Sequence, residues 1–358
     1  MFLSLLLVML TLQPVQDDVS SWMKLIESGQ LEQVEAEIRQ HPEQATPIIE
    51  ELLSQFDSSV HSWRDRPEQR RVRYSDDLLQ SGLELTRLVT ELTGDNTFER
   101  RFEARRDRVR ATQMLNDGEF DEAMALIESV RDTARELEDQ SFLFSTYLSS
   151  AYAFLGTGRP DKALIDCELA LSLAREIGER VNLTLALFNL GTAHLHLGNH
   201  DESLTYSLQA AEAASEIGNK IWQANAWLNV GYVQIMKDQY GPAIESLRRT
   251  RSLSQEAGDP LGEGRAWYNL GIAYFRLRQW ESTRDHLEHA LEFIREVDIR
   301  HSHDITEFNT IERDALQRLL HSYQQLNLTD RALLEPIEQR LEEFEQMSDQ
   351  GGEPGHSH

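Results

Sequence analysis

Residues 266–274 read A-W-Y-N-L-G-I-A-Y, residues 226–234 read A-W-L-N-V-G-Y-V-Q, and residues 186–194 read A-L-F-N-L-G-T-A-H. These stretches lie 40 residues apart, and the spacing runs on beyond them. Ala111, Ala151, Gly191, Gly231 and Gly271 form one row; Ala123, Ala163, Ser203, Ala243 and Thr283 form a second. A third holds Gly178, Gly218 and Gly258, with Asp298 at the next step. Five units in register make an array, whose core grows by stacking each unit on its neighbour. Such an array presents a surface rather than a reaction centre.

Within a unit, Trp267, Leu270, Gly271 and Tyr274 fall at i, i+3, i+4 and i+7, one stripe of a helix. A second stripe begins twelve residues after the small residue, as in Ala163/Cys167/Ala170 and Ala243/Leu247/Thr250. The reading is a helix hairpin per unit, with a small residue on the first helix facing a small residue on the second. Gly118, Gly158 and Gly198 supply the positive φ of the turn between them, replaced by Asp238 and Arg278 in later units. Trp227, Trp267, Tyr274, Trp280 and Tyr240 read as core.

The W-x2-L-G-x2-Y stripe at Trp267–Tyr274, repeated more loosely at Trp227, Leu187 and Tyr147, resembles the tetratricopeptide repeat. The unit is 40 residues, against about 34 in the usual repeat. It resembles a long-unit subclass found in kinesin light chains, polarity adaptors and bacterial regulators. The resemblance covers residues 104–298 and implies an all-α fold: a right-handed α-solenoid of helix hairpins with a helical N-terminal cap. It also implies binding of a peptide or partner domain in the concave groove lined by the first helices.

The flanks complete the domain plan. Residues 17–103 read as a helical N-terminal subdomain, 299–347 as an insertion plus a hairpin built on Leu316, Leu319, Leu320, Tyr323 and Ala332, and 348–358 as a disordered tail. Residues 2–12 are an apolar run, too short for a membrane span of ~20 residues. With residues 13–16 this run resembles a secretory signal, which places the array in a secreted or periplasmic setting. It lacks a preceding Lys or Arg and an A-x-A-like site. A buried first helix or a misplaced start is the alternative, with the protein then cytoplasmic.

The net charge is −26. That argues against nucleic-acid binding, which needs a basic footprint, and favours basic partners and solubility. The arginines of residues 100–110, interleaved with Glu103 and Asp107, read as i,i+4 pairs. Cys167 is the single cysteine, placed where a small apolar residue is wanted. His194/His196, His286/His289 and His301/His303 lack zinc spacing, so no metal site is expected. No phosphate loop, H-E-x-x-H or G-x-S-x-G occurs, and no cofactor or enzymatic activity is expected.

The candidate site is a second ladder. Asn189, Asn229 and Asn269 sit just before each Leu/Val-Gly pair, at one lip of the first helix. A carboxamide offers one acceptor and two donors, enough to grip both groups of an extended peptide unit. Phe188, Tyr232, Tyr268 and Phe275 lie beside the ladder, and Arg265 and Arg276 could add a carboxylate grip. In the resembling families Asn at this place contacts ligand backbone. Alternatively, each Asn bonds a neighbouring helix or simply accompanies the duplicated unit. Two functions follow: a noncatalytic scaffold that binds a peptide or protein in its groove, or a regulatory sensor passing a bound signal to a separate output protein.

Overall fold

The computed structural model describes residues 25–26, 30–40, 45–61, 68–296 and 305–350, and every regular element among them is an α-helix. The apolar run at 2–12, Asp298 of the third row, the His301–His303 insertion and residues 351–358 lie outside the described residues. The chain forms two compact units, residues 1–146 and 147–358.

The first unit contains α1 (Leu31–Gln40), α2 (Ala45–His61), α3 (Glu68–Thr93), α4 (Thr97–Asn116), α5 (Phe120–Glu136) and the start of α6 (Gln140–Gly156). Its core follows i,i+4 pairs such as Ile48/Leu52, Ile49/Leu53 and Leu85/Val89, all buried. Phe102 of α4 joins them by lying on Gly82 of α3, where an added Cβ would stand 2.1 Å from the ring. The arginines of α4 do not pair chiefly along their own helix, as expected from sequence. Arg100 reaches Glu136 of α5; Arg101 reaches Glu50 of α2 at 2.6 Å and Asp139 at 3.1 Å. Arg105, 1 % exposed, reaches Asp139 at 3.3 Å and lies 4.2 Å over the Phe142 ring. Glu103 and Asp107 stand three residues, not four, from Arg100, Arg106 and Arg110, and the carboxylates that meet Arg101 and Arg105 come from outside α4.

The second unit runs from within α6 through α7 (Pro160–Ile177), α8 (Arg180–His196), α9 (His200–Glu216), α10 (Lys220–Met236), α11 (Tyr240–Ala257), α12 (Pro260–Arg276), α13 (Trp280–Glu296), α14 (Ile305–Gln325) and α15 (Arg331–Gln350). First helices start at Gln140, Arg180, Lys220 and Pro260, second helices at Phe120, Pro160, His200, Tyr240 and Trp280, so the 40-residue period of the sequence is the period of the helices. The result is an α-solenoid of helix hairpins.

The turns explain why the period is so strict. Gly118, Gly158 and Gly198 adopt φ of 86°, 71° and 74° between first and second helix, and Asp238 and Arg278 hold the same left-handed position at 56° and 57°. At the other turn Gly178, Gly218 and Gly258 are left-handed, and Glu138 takes that place at φ 52°. The following N–H reaches back to the helix end, Asn199 to the His194 carbonyl at 2.9 Å and Asn219 to the Ala214 carbonyl at 3.0 Å, which satisfies carbonyls the helix leaves open. Asp139, Asn219 and Asp259 then accept from the N–H three residues on, capping the next helix.

Close packing within a hairpin depends on the glycines, with a refinement to the expected small-on-small contact. A Cβ at Gly231 would stand 2.6 Å from Leu247 Cγ, and one at Gly271 would stand 2.4 Å from a Leu287 methyl. A large side chain therefore fills each missing Cβ, while the small residue one turn earlier admits the backbone, as the Ala243 carbonyl 3.5 Å from the Gly231 position shows. In unit three Ser203 Oγ donates to the Gly191 carbonyl at 2.7 Å. In α14 Leu316, Leu319 and Tyr323 are buried, while in α15 Ala332 is exposed and Ile337 and Phe344 carry the buried stripe.

Candidate functional site

Successive first helices α8, α10, α12 and α14 touch one another, and second helices pack mainly on the first helices beside them. The first helices thus form the closed inner wall of the second unit. That wall differs in charge from the rest of the chain. Residues 140–156, 180–196 and 220–236, the whole of α6, α8 and α10, contain no Asp or Glu, although the chain holds 61 of them. The second helix α9 alone carries Asp201, Glu202, Glu212 and Glu216. These three helices are built of amides, hydroxyls and apolar groups, with His194 and His196 in α8 and with Arg180 and Lys220 at the helix starts paired to Glu216 and Glu256 of second helices.

The Asn ladder lies on this wall in three different states. Asn189 is half-buried, and its Nδ2 donates to the Leu185 carbonyl one turn back at 2.8 Å. Asn229 is half-buried and donates across the unit boundary to Thr192 Oγ1 at 3.1 Å. Asn269 is 7 % exposed, donates to the Arg265 carbonyl at 2.8 Å, and its Oδ1 is enclosed with no hydrogen-bond partner among the described residues. The first two keep a carboxamide oxygen that a ligand N–H could use; the third has withdrawn from the surface.

Tyr268 and Phe275 are likewise engaged by the following hairpin. The Tyr268 hydroxyl donates to Asp314 Oδ2 at 2.8 Å, and Arg318 grips the same carboxylate through two nitrogens at 2.6 and 2.9 Å. Burial, and then the Asp314 charge, push the Tyr268 phenol well above its ordinary range. Arg318 also lies 5.1 Å over the Phe275 ring, which meets Trp280 at 5.6 Å and His321 at 5.4 Å. Arg276 is exposed at this end, and Arg265 is half-buried. The predicted residues other than the two arginines thus divide: Phe188, Asn189, Asn229 and Tyr232 on the open wall, Tyr268 and Phe275 in the contact between α12 and α14, and Asn269 enclosed on α12.

Two residues on the open wall were not singled out from sequence. Tyr152 is 60 % exposed and Met236 49 %, beside Tyr232 at 39 %. Tyr152, Thr192 and Tyr232 occupy one row at the 40-residue spacing, so the repeat itself carries the signal; the looser match of the unit at Tyr147 hid it. These exposed apolar surfaces and the half-buried amides could accept an extended chain by stacking and backbone hydrogen bonds.

The remaining candidates are structural. Cys167 is buried, and burial, with Asp166 and Glu168 beside it, pushes its thiol up to about 12, far from a thiolate at neutral pH. His194 stacks on Tyr206 with ring centroids 5.4 Å apart. Among the described residues no three His, Cys, Asp or Glu side chains converge as a metal site, and no helix is long and apolar enough to cross a membrane.

Family models of the tetratricopeptide repeat match residues 182–256 and 268–297. No curated protein matches the chain by sequence. Among solved structures, a Signal Transduction ATPase with Numerous Domains with a tetratricopeptide repeat sensor, from Pyrococcus horikoshii, is 14 % identical with a TM-score of 0.60. The match covers 93 % of this chain and 49 % of that one, so the chain spans about half its length. The apo form of RapI is 15 % identical over 86 % of this chain and 78 % of its own, with a TM-score of 0.60. Aspartyl phosphate phosphatase F from Bacillus subtilis is 13 % identical over 95 % of both chains, with a TM-score of 0.56. At these identities the likeness is one of fold.

Proposed function

This chain is a tetratricopeptide repeat protein, and from that premise we propose that it is a noncatalytic scaffold whose inner wall, from the 147–156 stretch of α6 to α10, holds an extended, largely uncharged segment of a partner protein. The observation that carries the reading is the absence of acidic residues from α6, α8 and α10 in a chain of net charge −26. A segment rich in Lys or Arg would find no carboxylate there and would be drawn to the outer helices instead. An uncharged segment loses little on leaving water and can stack on Tyr152, Tyr232 and Met236, which are otherwise left to solvent. Asn189 and Asn229 would then hold its backbone through their carboxamide oxygens, the nitrogens being used within the array.

The test is a selection from a displayed peptide library against the full chain, followed by affinity measurement of the enriched peptides. The enriched segments should be uncharged over their central residues. Replacing Asn229→Ala should weaken them roughly tenfold, the cost of about one to two backbone hydrogen bonds. Replacing Tyr152→Glu together with Tyr232→Glu should abolish binding while helicity is retained. Enriched peptides that are uniformly basic, or that bind the double Tyr variant as well as the parent, would refute the reading.

A further inference from the structure

A second feature stands apart from the inner wall. The second helix α11 carries Arg248, Arg249 and Arg251 against only Glu245 and Glu256. The same three places hold Leu208, Gln209 and Ala211 in α9 and Glu168, Leu169 and Leu171 in α7. Arg131 of α5 shares the place of Arg251 but is paired with Glu128, and in a repeat the neighbouring units are internal controls, so arginine at all three places in α11 marks a local demand that stacking does not impose.

The structure shows where two of these arginines go. The Arg251 guanidinium lies 4.5 Å over the Trp267 ring of α12, and Arg248 donates to the Tyr274 hydroxyl at 3.0 Å. From the other side α13 brings His289, whose ring lies 4.6 Å from Trp267, and His286, 5.1 Å from Trp267 and 4.7 Å from Tyr274. Arg251 and the two imidazoles thus pack around Trp267, and Arg248 and His286 both meet Tyr274, between α11 and α13. Neither Arg248 nor Arg251 has an ion-pair partner among the described residues, and Arg251 Nε and Trp267 Nε1 are enclosed donors without an acceptor.

Nearby carboxylates are occupied elsewhere: Asp285 by Arg284, Glu288 by the Tyr323 hydroxyl, Glu256 by Lys220, and Glu263 by Gln255. The equivalent crevice two units earlier is of the opposite kind. It is an open cavity of about 450 Å³ whose lining includes Glu168, Leu171, Glu176 and Tyr206, with Arg175. The aromatic floor also matches what an anion site needs, because cations held by π-stacking keep their N–H edges free for an oxygen ligand.

We propose that the crevice between α11 and α13, floored by Trp267 and Tyr274, is a recognition site for an oxyanion carried on a partner's side chain, either a phosphoryl group or a carboxylate. Arg248 and Arg251 supply the charge-assisted donors, the indole N–H of Trp267 adds a third on small adjustment, and the His286 imidazole gains a proton as the anion arrives. Burial, and with it the charges of Arg251 and Arg248, outweighs the Ser282 carbonyl and Asp285 and holds the His286 imidazole below its ordinary value; an anion beside it would oppose that balance.

The experiment uses the full chain and three probes that differ at one residue: a short peptide bearing phosphoserine, glutamate or serine. Calorimetry should show saturable binding of the phosphoserine or glutamate peptide and none of the serine peptide. Which of the two anionic peptides binds more tightly identifies the source. Imidazole NMR should show the His286 titration moving to higher pH in the complex. Arg248→Gln/Arg251→Gln should weaken binding at least about tenfold, and the single Arg248→Gln, at an exposed position that cannot endanger the fold, should give a smaller loss in the same direction. Arg278→Gln, on the turn ahead of α13, should change nothing. Absence of saturable binding by either anionic peptide, or binding that ignores both arginine variants, overturns the proposal. Loss of anion binding here leaves selection of peptides by the inner wall untouched, so the two readings fail separately.

Discussion

Placing one methyl group at Gly231 tests the packing on which the array rests. Gly231 lies in the interior of α10, where alanine is favoured over glycine by about 1 kcal/mol on backbone grounds alone. The new Cβ would lie 2.6 Å from Leu247 Cγ and 2.7 Å from Cδ2. Carbons at rest stand ~3.5–4.0 Å apart, so the overlap is about 1 Å. Leu247 is fully buried, and the colliding atom is its branch point, so rotation of the tip does not relieve the contact. Overpacking of this kind costs about 1–3 kcal/mol, and the net expectation for Gly231→Ala is a loss of roughly 1 kcal/mol. In the background Leu247→Ala, itself costing about 2–5 kcal/mol, the obstacle is gone and only the helix gain of about 1 kcal/mol remains. The sign of the same substitution should therefore reverse, with a coupling of about 2 kcal/mol between the two sites. Gly191→Ala should be milder, since its nearest obstacle is the Ser207 hydroxyl at 2.6 Å, which makes no hydrogen bond and can turn aside, leaving the Ser207 backbone nitrogen at 3.2 Å to give by a few tenths of an ångström. Arrays unfold by units, so the readout is hydrogen exchange of the α10 and α11 amides rather than a single melting point. Equal stabilisation of parent and Leu247→Ala backgrounds by Gly231→Ala would refute the argument.

Two further substitutions follow from the turns and the buried ion pairs. Arg278 holds a left-handed φ of 57° that Gly198 occupies in unit three, so Arg278→Gly should raise the stability of the α12–α13 hairpin by up to about 1 kcal/mol, read by exchange protection in those helices. Asp139 is buried, which raises its pKa, but Arg105 and Arg101 outweigh burial and hold its carboxyl below the ordinary range. A depressed carboxylate contributes stability that is complete above its unfolded-state pKa, near 4, and is lost as pH falls through the lower folded value. Asp139→Asn should accordingly cost about 3 kcal/mol at neutral pH and flatten the acid limb of the first unit's unfolding curve. An unchanged acid limb would show that this carboxylate does not report the pairing.

Most of the architecture was legible because the repeat is written in backbone-determining residues. Gly198, Gly218 and Gly258 mark left-handed turns directly, and Asp139, Asn219 and Asp259 mark the caps that follow. Arg278 and Glu138 were harder to read, since nothing in an arginine or a glutamate announces positive φ; only their registry with the glycines does. The pairing of Arg101 and Arg105 with Asp139 and Glu50 spans 34 to 51 residues, and local spacing cannot see a partner brought by another helix. The candidate ladder was legible as a row but not as a surface. Asn189, Asn229 and Asn269 are alike in sequence, yet Asn269 is enclosed, while its neighbours Tyr268 and Phe275 are engaged by Asp314, Arg318 and His321 of α14. The hairpin after the insertion breaks the register, so the repeat pattern could not predict what covers unit five.

Charge adds a layer that the hydrophobic pattern does not contain. The outward faces of the second helices are free to vary, and here they are mostly acidic, which keeps a long array soluble and discourages contact between like copies. The first helices α6, α8 and α10 have been kept free of Asp and Glu although their polar positions could carry either without harm to the helix. An acid-free wall beside an acidic exterior steers by contrast: a strongly basic segment gains more outside, and an anionic one is repelled by the exterior around the wall. The arginines of α11 then stand as a local reversal on the exterior, at a crevice where neighbouring units place Glu168 or Leu208. Taken together, the two proposals would call for a partner with an uncharged stretch for the inner wall and an anionic side chain for the crevice. That combination makes a stronger demand than either alone, because one chain must satisfy both at a fixed separation.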